Sequence, residues 1–540
     1  MPRNDDVNRR SFLKYGGAAA ATAATVSLAG CAGEDDDPVA DGDDDDTDDT
    51  ADTDDTDDTT ENGEDEEFFV TVTQGTLTDT LDPVGENATP VYNIIDQGYE
   101  PFLYRDLEGR PIERIVTDWE RLDDNTVELE IRDGVQFHSG SELTPEDVAY
   151  SINRANDGDV SDVAAVIGDI DEAYAENGSV VVDLNSVVPT IFNTLNAFGR
   201  VVEQEWVEER DGAIATEMNG TGPFELVEFE EGSHVEYEQF DDYWGEAPEV
   251  DAGRFEAREE DGPRVDSLLA GETDVITNVS PDDVIDVENA DGVESETVPS
   301  IRSIFLVMND QKEPFDSPEF RQAMNYAVDV NAIVDSVLNE FADQTSQPTL
   351  EGHFGYNPDV DPYPYDPETA EQLVEDSGHA GVEITLHTPT GRYLNDVDVA
   401  DAAAGQIDEL DNVSCSTDRR DTLTLFGETG DGDQETSPAF FLIGWGNPTF
   451  DADYTMSPWL RAGVFQHFTD DEIVGLLEDA NDEPDLDERE SILQEANALS
   501  NEKAPWVFLY QQFSIYGKSD RIEWDSREDE DILFEEMSRA

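Results

Sequence analysis

The chain of 540 residues predicts a mixed α/β protein behind an export signal and a polar tether. Three observations carry that expectation. Short segments alternate apolar and polar residues and end at turn signals, as strands do. Other segments carry apolar residues at helical spacing behind recognisable caps. Apolar residues make up 37% of the chain, enough for a large core, which excludes a chain disordered throughout. The length allows about two to four domains.

The elements follow in chain order. Asn8-Arg9-Arg10-Ser11-Phe12-Leu13-Lys14 is a twin-arginine export motif. The stretch Tyr15 to Ala29 is apolar but too short and too rich in Ala and Gly for a comfortable membrane span. It ends in Leu28-Ala29-Gly30-Cys31, which resembles a lipoprotein signal box. Cys31 is therefore expected to carry lipid after cleavage. This places the chain on the extracytoplasmic face of the cell membrane, lipid-anchored, exported by the twin-arginine route. Residues 32–67 are Asp/Thr-rich, and positions 34 to 67 hold 21 acidic residues and no basic one. Such a segment cannot bury apolar surface and is expected to be a disordered, self-repelling tether. Extended, it would reach roughly 100 Å at about 3.3 Å per residue. It lacks the Gly turn and closing Glu of a calcium loop.

From residue 68 on, the body holds 110 acidic against 24 basic residues. That balance rules out a general nucleic-acid binder, which needs a basic surface for phosphates. Self-repulsion of this size destabilises a compact chain in dilute buffer and is screened at molar salt, where the Debye length is about 3 Å. The composition reads as a halophilic adaptation. With Cys31 used by lipid, Cys415 has no internal partner and reads as a buried, inert thiol.

Phe68 to Thr73 alternates like a first strand. Thr126 to Arg132 alternates and stops at Asp133-Gly134. Thr144-Pro145-Glu146-Asp147 opens a helix, with Thr as N-cap, Pro next and acids in the first turn. Phe224 to Phe229 and His234 to Phe240 read as paired strands about Glu231-Gly232. Glu319 to Leu338 reads as one long helix, and Ala400 to Leu410 and Asp487 to Leu499 as two more. No internal repeat is visible.

With these elements placed, ordered blocks of sequence become recognisable. Tyr99-Glu100-Pro101-Phe102-Leu103-Tyr104 leads to Trp119-Glu120. Ile131-Arg132-Asp133-Gly134-Val135-Gln136-Phe137-His138 and Thr144 to Ser151 follow. Then come Gly220-Thr221-Gly222-Pro223-Phe224, Asp242-Tyr243-Trp244-Gly245, Phe320 to Asp329, Tyr365-Asp366-Pro367-Glu368 and Gly444-Trp445-Gly446. Together they resemble the family 5 extracellular solute-binding proteins of ABC transporters, the dipeptide-, oligopeptide- and nickel-binding type. The resemblance covers residues 68 to 540. It implies a periplasmic-binding-protein type II fold: two hinged lobes with an extra α+β domain inserted in the first. Lobe I would comprise 68–98, 200–300 and 505–540, the inserted domain 99–199, and lobe II 301–504.

Most blocks read as scaffold. His138 beside a helix cap is a hydrogen-bonded structural residue, and His234, His353, His379, His387 and His467 show no close metal-ligand spacing. Gly220 to Pro223 lacks the Lys-Ser/Thr of a phosphate loop and reads as a tight turn. No nucleophile elbow or metalloprotease motif occurs, so no catalytic residue, cofactor or metal is expected.

The resemblance also points to ligand-binding residues. Arg392, between the strand Val382 to Thr388 and a helix near Ala400, matches the loop whose Arg pairs with a peptide carboxylate. Its planar fork suits that role. Gly444 and Trp445 match the segment that lines the ligand, with backbone groups added to the peptide like a strand. Many peptide binders carry an Asp three residues after that Trp, where this chain has Pro448. Asp451 and Asp453 are the candidates for the missing carboxylate. Gln74 and Thr76 match the first-lobe side of the cleft, and Arg302, at the start of a strand Ile304 to Met308, is a further candidate. The expected function is capture of small peptides by hinged closure and delivery to ABC permease and ATPase subunits by a monomer. The alternative is the same receptor role for a sugar, nickel chelate or other small organic molecule. A surface hydrolase or adhesion lipoprotein finds no supporting motif.

Overall fold

The computed structural model describes residues 67–540, apart from 87, 107, 108, 165, 211, 431, 433–435, 462 and 464. The export motif, Cys31 and the tether up to residue 66 lie outside the described residues. The helix Pro145–Ala155 begins with a reciprocal cap. Thr144 Oγ1 accepts the Asp147 N–H at 3.3 Å, and the Asp147 carboxylate accepts the Thr144 N–H at 3.0 Å. Two backbone donors that helix formation orphans are thereby satisfied.

The single helix expected over Glu319 to Leu338 is two, Pro318–Ala327 and Val330–Val337. The backbone of Val328 is extended, and Asp329 restarts the helix by accepting the Ala332 N–H at 3.1 Å. Asp competes for local backbone amides more strongly than it favours a helix interior. Ala327, Val328, Val330 and Ile333 enter one core, so the apolar pattern runs through the break and conceals it.

An 11-stranded sheet organises the body. Its order is Val413–Arg419, Val382–Thr388, Phe440–Gly446, Val293–Met308, Trp506–Ser519, Val275–Ile276, Phe69–Gln74, Ala252–Ala257, His234–Gln239 and Phe224–Glu230. Ala342–Gln344 pairs with Trp506–Ser519 off that path. Two strands are long and antiparallel: Val293–Met308, which contains the expected Ile304 to Met308, and Trp506–Ser519. Their register shifts between Pro299 and Ser303. Before the shift, Val293 to Pro299 pairs with Phe513 to Ser519; beyond it, Arg302 to Met308 also pairs with Phe440–Gly446.

Four cores are distributed about this sheet. One gathers Val70, Val72, Phe224, Phe255 and Phe534. A second lies within residues 84–214, over a four-stranded sheet of Val116–Asp123, Thr126–Ile131, Ser179–Leu184 and Ile170–Glu176. Two more cover the opposite part of the large sheet, and Trp506 to Tyr510 pack there with Phe305, Leu442 and Trp459. The strand beginning at Trp506 therefore serves both ends of the sheet.

Gly220 to Pro223 marks a close approach of two chain segments. The Gly222 N–H donates to the Gly98 carbonyl at 2.9 Å, and a Cβ on Gly222 would stand 2.8 Å from that carbonyl oxygen. The expectation of a tight turn alone missed this crossing, which needs a residue without a Cβ. His138 Nε2 lies 3.0 Å from the Gly222 carbonyl oxygen and its ring packs on Phe240. Cys415 is half-buried, and burial pushes its thiol up to about 12. No described helix is long and apolar enough to cross a membrane.

Candidate functional site

The strands Val382–Thr388 and Phe440–Gly446 are parallel neighbours. Loops that leave the carboxyl ends of such strands are where α/β proteins hold ligands. Here those loops carry Arg392 and the segment from Asn447 to Asp453.

The Arg392 loop is shaped by one buried carboxylate. Asp396 accepts backbone N–H groups from Gly391 at 3.2 Å, Arg392 at 2.8 Å, Tyr393 at 3.2 Å and Val397 at 2.8 Å. Gly391 provides the left-handed backbone that the turn requires (φ +73°). Tyr393 then donates its hydroxyl to the Gly444 carbonyl at 3.1 Å. A Cβ on Gly444 would stand 2.7 Å from the Tyr393 ring, so glycine is what lets this loop close on the strand.

Arg392 is exposed to solvent, yet the surrounding protein holds its guanidinium pKa below the usual value, with Arg302 adding to the effect. The Arg392 guanidinium lies 5.3 Å from the Tyr393 ring. Among the described residues no carboxylate lies within ion-pair distance of Arg392. In a chain with 133 acidic residues, an unpaired arginine is conspicuous.

Arg302 lies opposite Gly446 in the sheet register, and its guanidinium nitrogen comes within 3.3 Å of where a Gly446 Cβ would be. It pairs with Glu530 at 3.0 Å, both side chains being nearly buried. Trp445, between the two glycines, is half-buried and donates Nε1–H to the Tyr454 carbonyl at 3.2 Å. Its ring centroid lies 5.5 Å from Trp459, 5.4 Å from Phe465 and 6.0 Å from Tyr454. Arg302 and the Tyr393 ring lie on the Gly444/Gly446 face of this strand, whereas Trp445, between those glycines, packs on the other face.

The two candidate acids have different surroundings. Asp451 is buried, binds both arms of Arg489 at 2.6 and 2.8 Å, and accepts the Asp453 N–H at 2.9 Å as a helix cap. Asp453 is half-buried; burial raises its carboxyl pKa, against the lowering effects of Arg461 and of a hydrogen bond from Ser457. Pro448 presents its carbonyl to Arg105 at 2.9 Å. Arg105 is itself fixed by Asp529 at 2.7 Å and Asp531 at 2.8 Å. Asn193 donates to the Thr449 carbonyl at 2.9 Å, and Phe198 stacks on Tyr454 at 5.7 Å. The segment 448–454 is therefore docked on residues from the 84–214 core.

Gln74 is buried and uses its amide on the Thr76 and Pro90 carbonyls at 2.8 and 2.9 Å. Thr76 is exposed and donates to the Leu77 carbonyl. Among the described residues no hydrogen bond joins either to Arg392 or Trp445. The structure thus brings Arg302 and the Arg392 loop to one face of the strand end at Gly444 and Gly446, with Trp445 on the other face. Sequence reasoning missed Asp396, Arg105 and Glu530. Asp396, four residues after Arg392 at a helix start, carried a local signal; Glu530, in an acidic run, carried none. No group of three or more His, Cys, Asp or Glu placed to hold a metal occurs among the described residues.

The sequence model described as bacterial extracellular solute-binding proteins, family 5 middle, matches residues 110–466. The twin-arginine translocation signal model matches residues 6–26. The chain is 22% identical over 472 residues to a glutathione-binding protein of Pectobacterium atrosepticum, covering 84% of this chain and 90% of that one. It is 26% identical over 438 residues to the dipeptide-binding protein of Escherichia coli, covering 72% and 79%. Its fold is similar to that of a Helicobacter pylori ABC transporter-associated periplasmic binding protein solved with the peptide STSA. There the TM-score is 0.76 at 19% identity, covering 88% of this chain and 98% of that one.

Proposed function

The chain belongs to the family 5 extracellular solute-binding proteins, the receptors of ABC importers rather than enzymes, and on that footing we propose that it captures small peptides by their carboxylate. The observation that carries this is Arg392, a solvent-exposed guanidinium with no carboxylate at ion-pair distance among the described residues, on a loop at the carboxyl end of a sheet strand. A planar guanidinium takes a carboxylate through two parallel hydrogen bonds, which neutral donors cannot match. Trp445 offers the ligand an apolar surface on the other face of the strand ending at Gly446, and that strand, beyond its Phe441 pair with His387, offers backbone groups to an extended chain. Asp453, whose carboxylate burial leaves undercompensated, is the acid for the ligand's α-ammonium. Thr76 lines the opposite rim, on a loop that the buried Gln74 amide holds through the Thr76 and Pro90 carbonyls.

Closure is a hinge motion about the register shift in the two long strands, with ligand bridging residues on either side. The lobes proposed are 68–98 with 200–300 and the C-terminal segment, against 301–504, with 99–199 inserted in the first. The twin-arginine signal takes the chain out of the cytoplasm. We further propose that lipid on Cys31 holds a monomer at the membrane, next to ABC permease and ATPase subunits, in a molar-salt setting. Stability rising from about 0.2 M to about 3 M KCl tests the last point, because only screening of self-repulsion predicts it.

The test is direct. Protein purified folded from its native cells in molar salt is denatured, and released ligand is identified by mass spectrometry. Peptides of a narrow length range are expected. A sugar or a metal chelate in their place overturns the peptide assignment and leaves the receptor role standing.

A further inference from the structure

Glu530 stands against Arg302 from outside the motifs that drew attention to the site. It closes the turn that starts at Arg527, and its N–H donates to the Arg527 carbonyl at 3.3 Å. Its backbone is left-handed, with φ +67°, a conformation unfavourable for a residue with a Cβ. Neighbouring contacts hold the turn in place. Asp529 binds Arg105 and Arg527, both at 2.7 Å, and the Ile301 N–H donates to the Glu528 carbonyl at 3.1 Å. The result is a carboxylate 3.0 Å from Arg302, with the Ser514 hydroxyl at 3.4 Å.

The charges then count simply. Two guanidiniums stand near the end of the strand Phe440–Gly446: that of Arg392, 5.3 Å from the Tyr393 ring that lies on Gly444, and that of Arg302 along Gly446. Glu530 neutralises the second. Without it, the pair of arginines would suit two neighbouring carboxylates. With it, one guanidinium is open and the other is already occupied by a carboxylate.

We propose that Glu530 sets the charge selectivity of the cleft, admitting ligands with one carboxylate at Arg392 and rejecting those with a second carboxylate next to the first. This rests on Arg392 as the carboxylate anchor. Rejection works because a second carboxylate would lose water in a partly desolvated site where the guanidinium it needs is already held by Glu530. It excludes peptides ending in Asp or Glu and accepts those ending in apolar or neutral residues.

The experiment compares the wild-type chain with Glu530→Gln, which keeps shape and removes charge. Affinities are measured by calorimetry in molar KCl for two matched pairs: Ala-Ala against Ala-Asp, and butyrate against succinate. In each pair the wild type is expected to prefer the first by about tenfold or more, and Glu530→Gln to narrow that ratio by about tenfold, mainly by gaining the second. A merely structural Glu530 would weaken both members alike. If Glu530→Gln does not fold, Arg302→Gln/Glu530→Gln, which leaves no charge unpaired, is expected to give an intermediate ratio. An unchanged ratio in the pairs that bind overturns the proposal while the peptide reading stands. A shift seen with the acids alone, with neither peptide bound, sinks the peptide reading and keeps Glu530. Binding of no probe by either protein overturns both.

Discussion

The segment after Trp445 contains two acids, and their surroundings predict opposite consequences of mutation. Asp451 and Arg489 form a two-armed ion pair with side chains 8% and 2% exposed. Removing one partner of such a pair costs about 3–5 kcal/mol, because the other is left buried and charged. Asp451→Asn belongs at the lower end, about 3 kcal/mol, since its amide oxygen still accepts one Arg489 N–H and still caps the helix. Asp451→Ala loses the cap too and adds about 1 kcal/mol. Arg489→Met strands the carboxylate and belongs at about 5 kcal/mol. The double variant Asp451→Asn/Arg489→Met has no charge to strand, so it is expected to cost well below the sum of its parts, about 3 kcal/mol. Urea unfolding in molar KCl, followed by tryptophan fluorescence, reads these values; Trp445 and Trp459 lie close by. Ligand affinity of the folded fraction is expected to stay near wild type. The reasoning is refuted if Asp451→Asn unfolds like wild type, to within about 1 kcal/mol, but no longer binds ligand. Asp451 would then face the ligand.

Three further outcomes are expected. Arg392→Gln should weaken free-acid peptides by about 10- to 100-fold, the worth of a charged hydrogen bond, and leave amidated peptides unchanged; equal loss for both would contradict a carboxylate anchor. Asp396→Asn removes the charged acceptor of four loop amides, so amide hydrogen exchange over 391–397 should quicken and free-acid peptides should weaken with Arg392 intact; unchanged exchange would show that the loop is held elsewhere. His353, packed on Phe450 with neither ring nitrogen hydrogen-bonded among the described residues, has its pKa pushed down to about 4 by burial. Between there and its unfolded value of about 6.5 the unfolded chain binds a proton that the folded chain refuses. Its contribution is therefore intact above about pH 6.5 and shrinks as pH falls toward about 4. His353→Phe should match wild type near pH 7.5 and exceed it near pH 5 by about 2 kcal/mol in urea unfolding, whereas an identical pH slope would place the acid sensitivity in other groups.

Local chemistry made much of this protein legible in advance. Thr144 to Asp147 specify a capped helix through contacts three residues apart. Strands such as Val382–Thr388 follow from alternation within seven residues. The twin-arginine motif is local by nature, and Arg392 and Trp445 belong to ordered family blocks. The break at Val328 lay beyond reach because both helices bury the same face, so hydrophobic period alone cannot see it.

The sequence by itself determined the class of fold, the export address, the acidity of the body and the loops that carry the candidate site. Each depends on residues within a few positions of one another or on simple counts. Tertiary structure alone decided which charges remain available. Asp451 is spent on Arg489, 38 positions away, Pro448 is held by Arg105, and Glu530 reaches Arg302 across 228 residues. Partners that distant in the chain meet only when the sheet brings them together, and an acid's role is set by the cation it meets there.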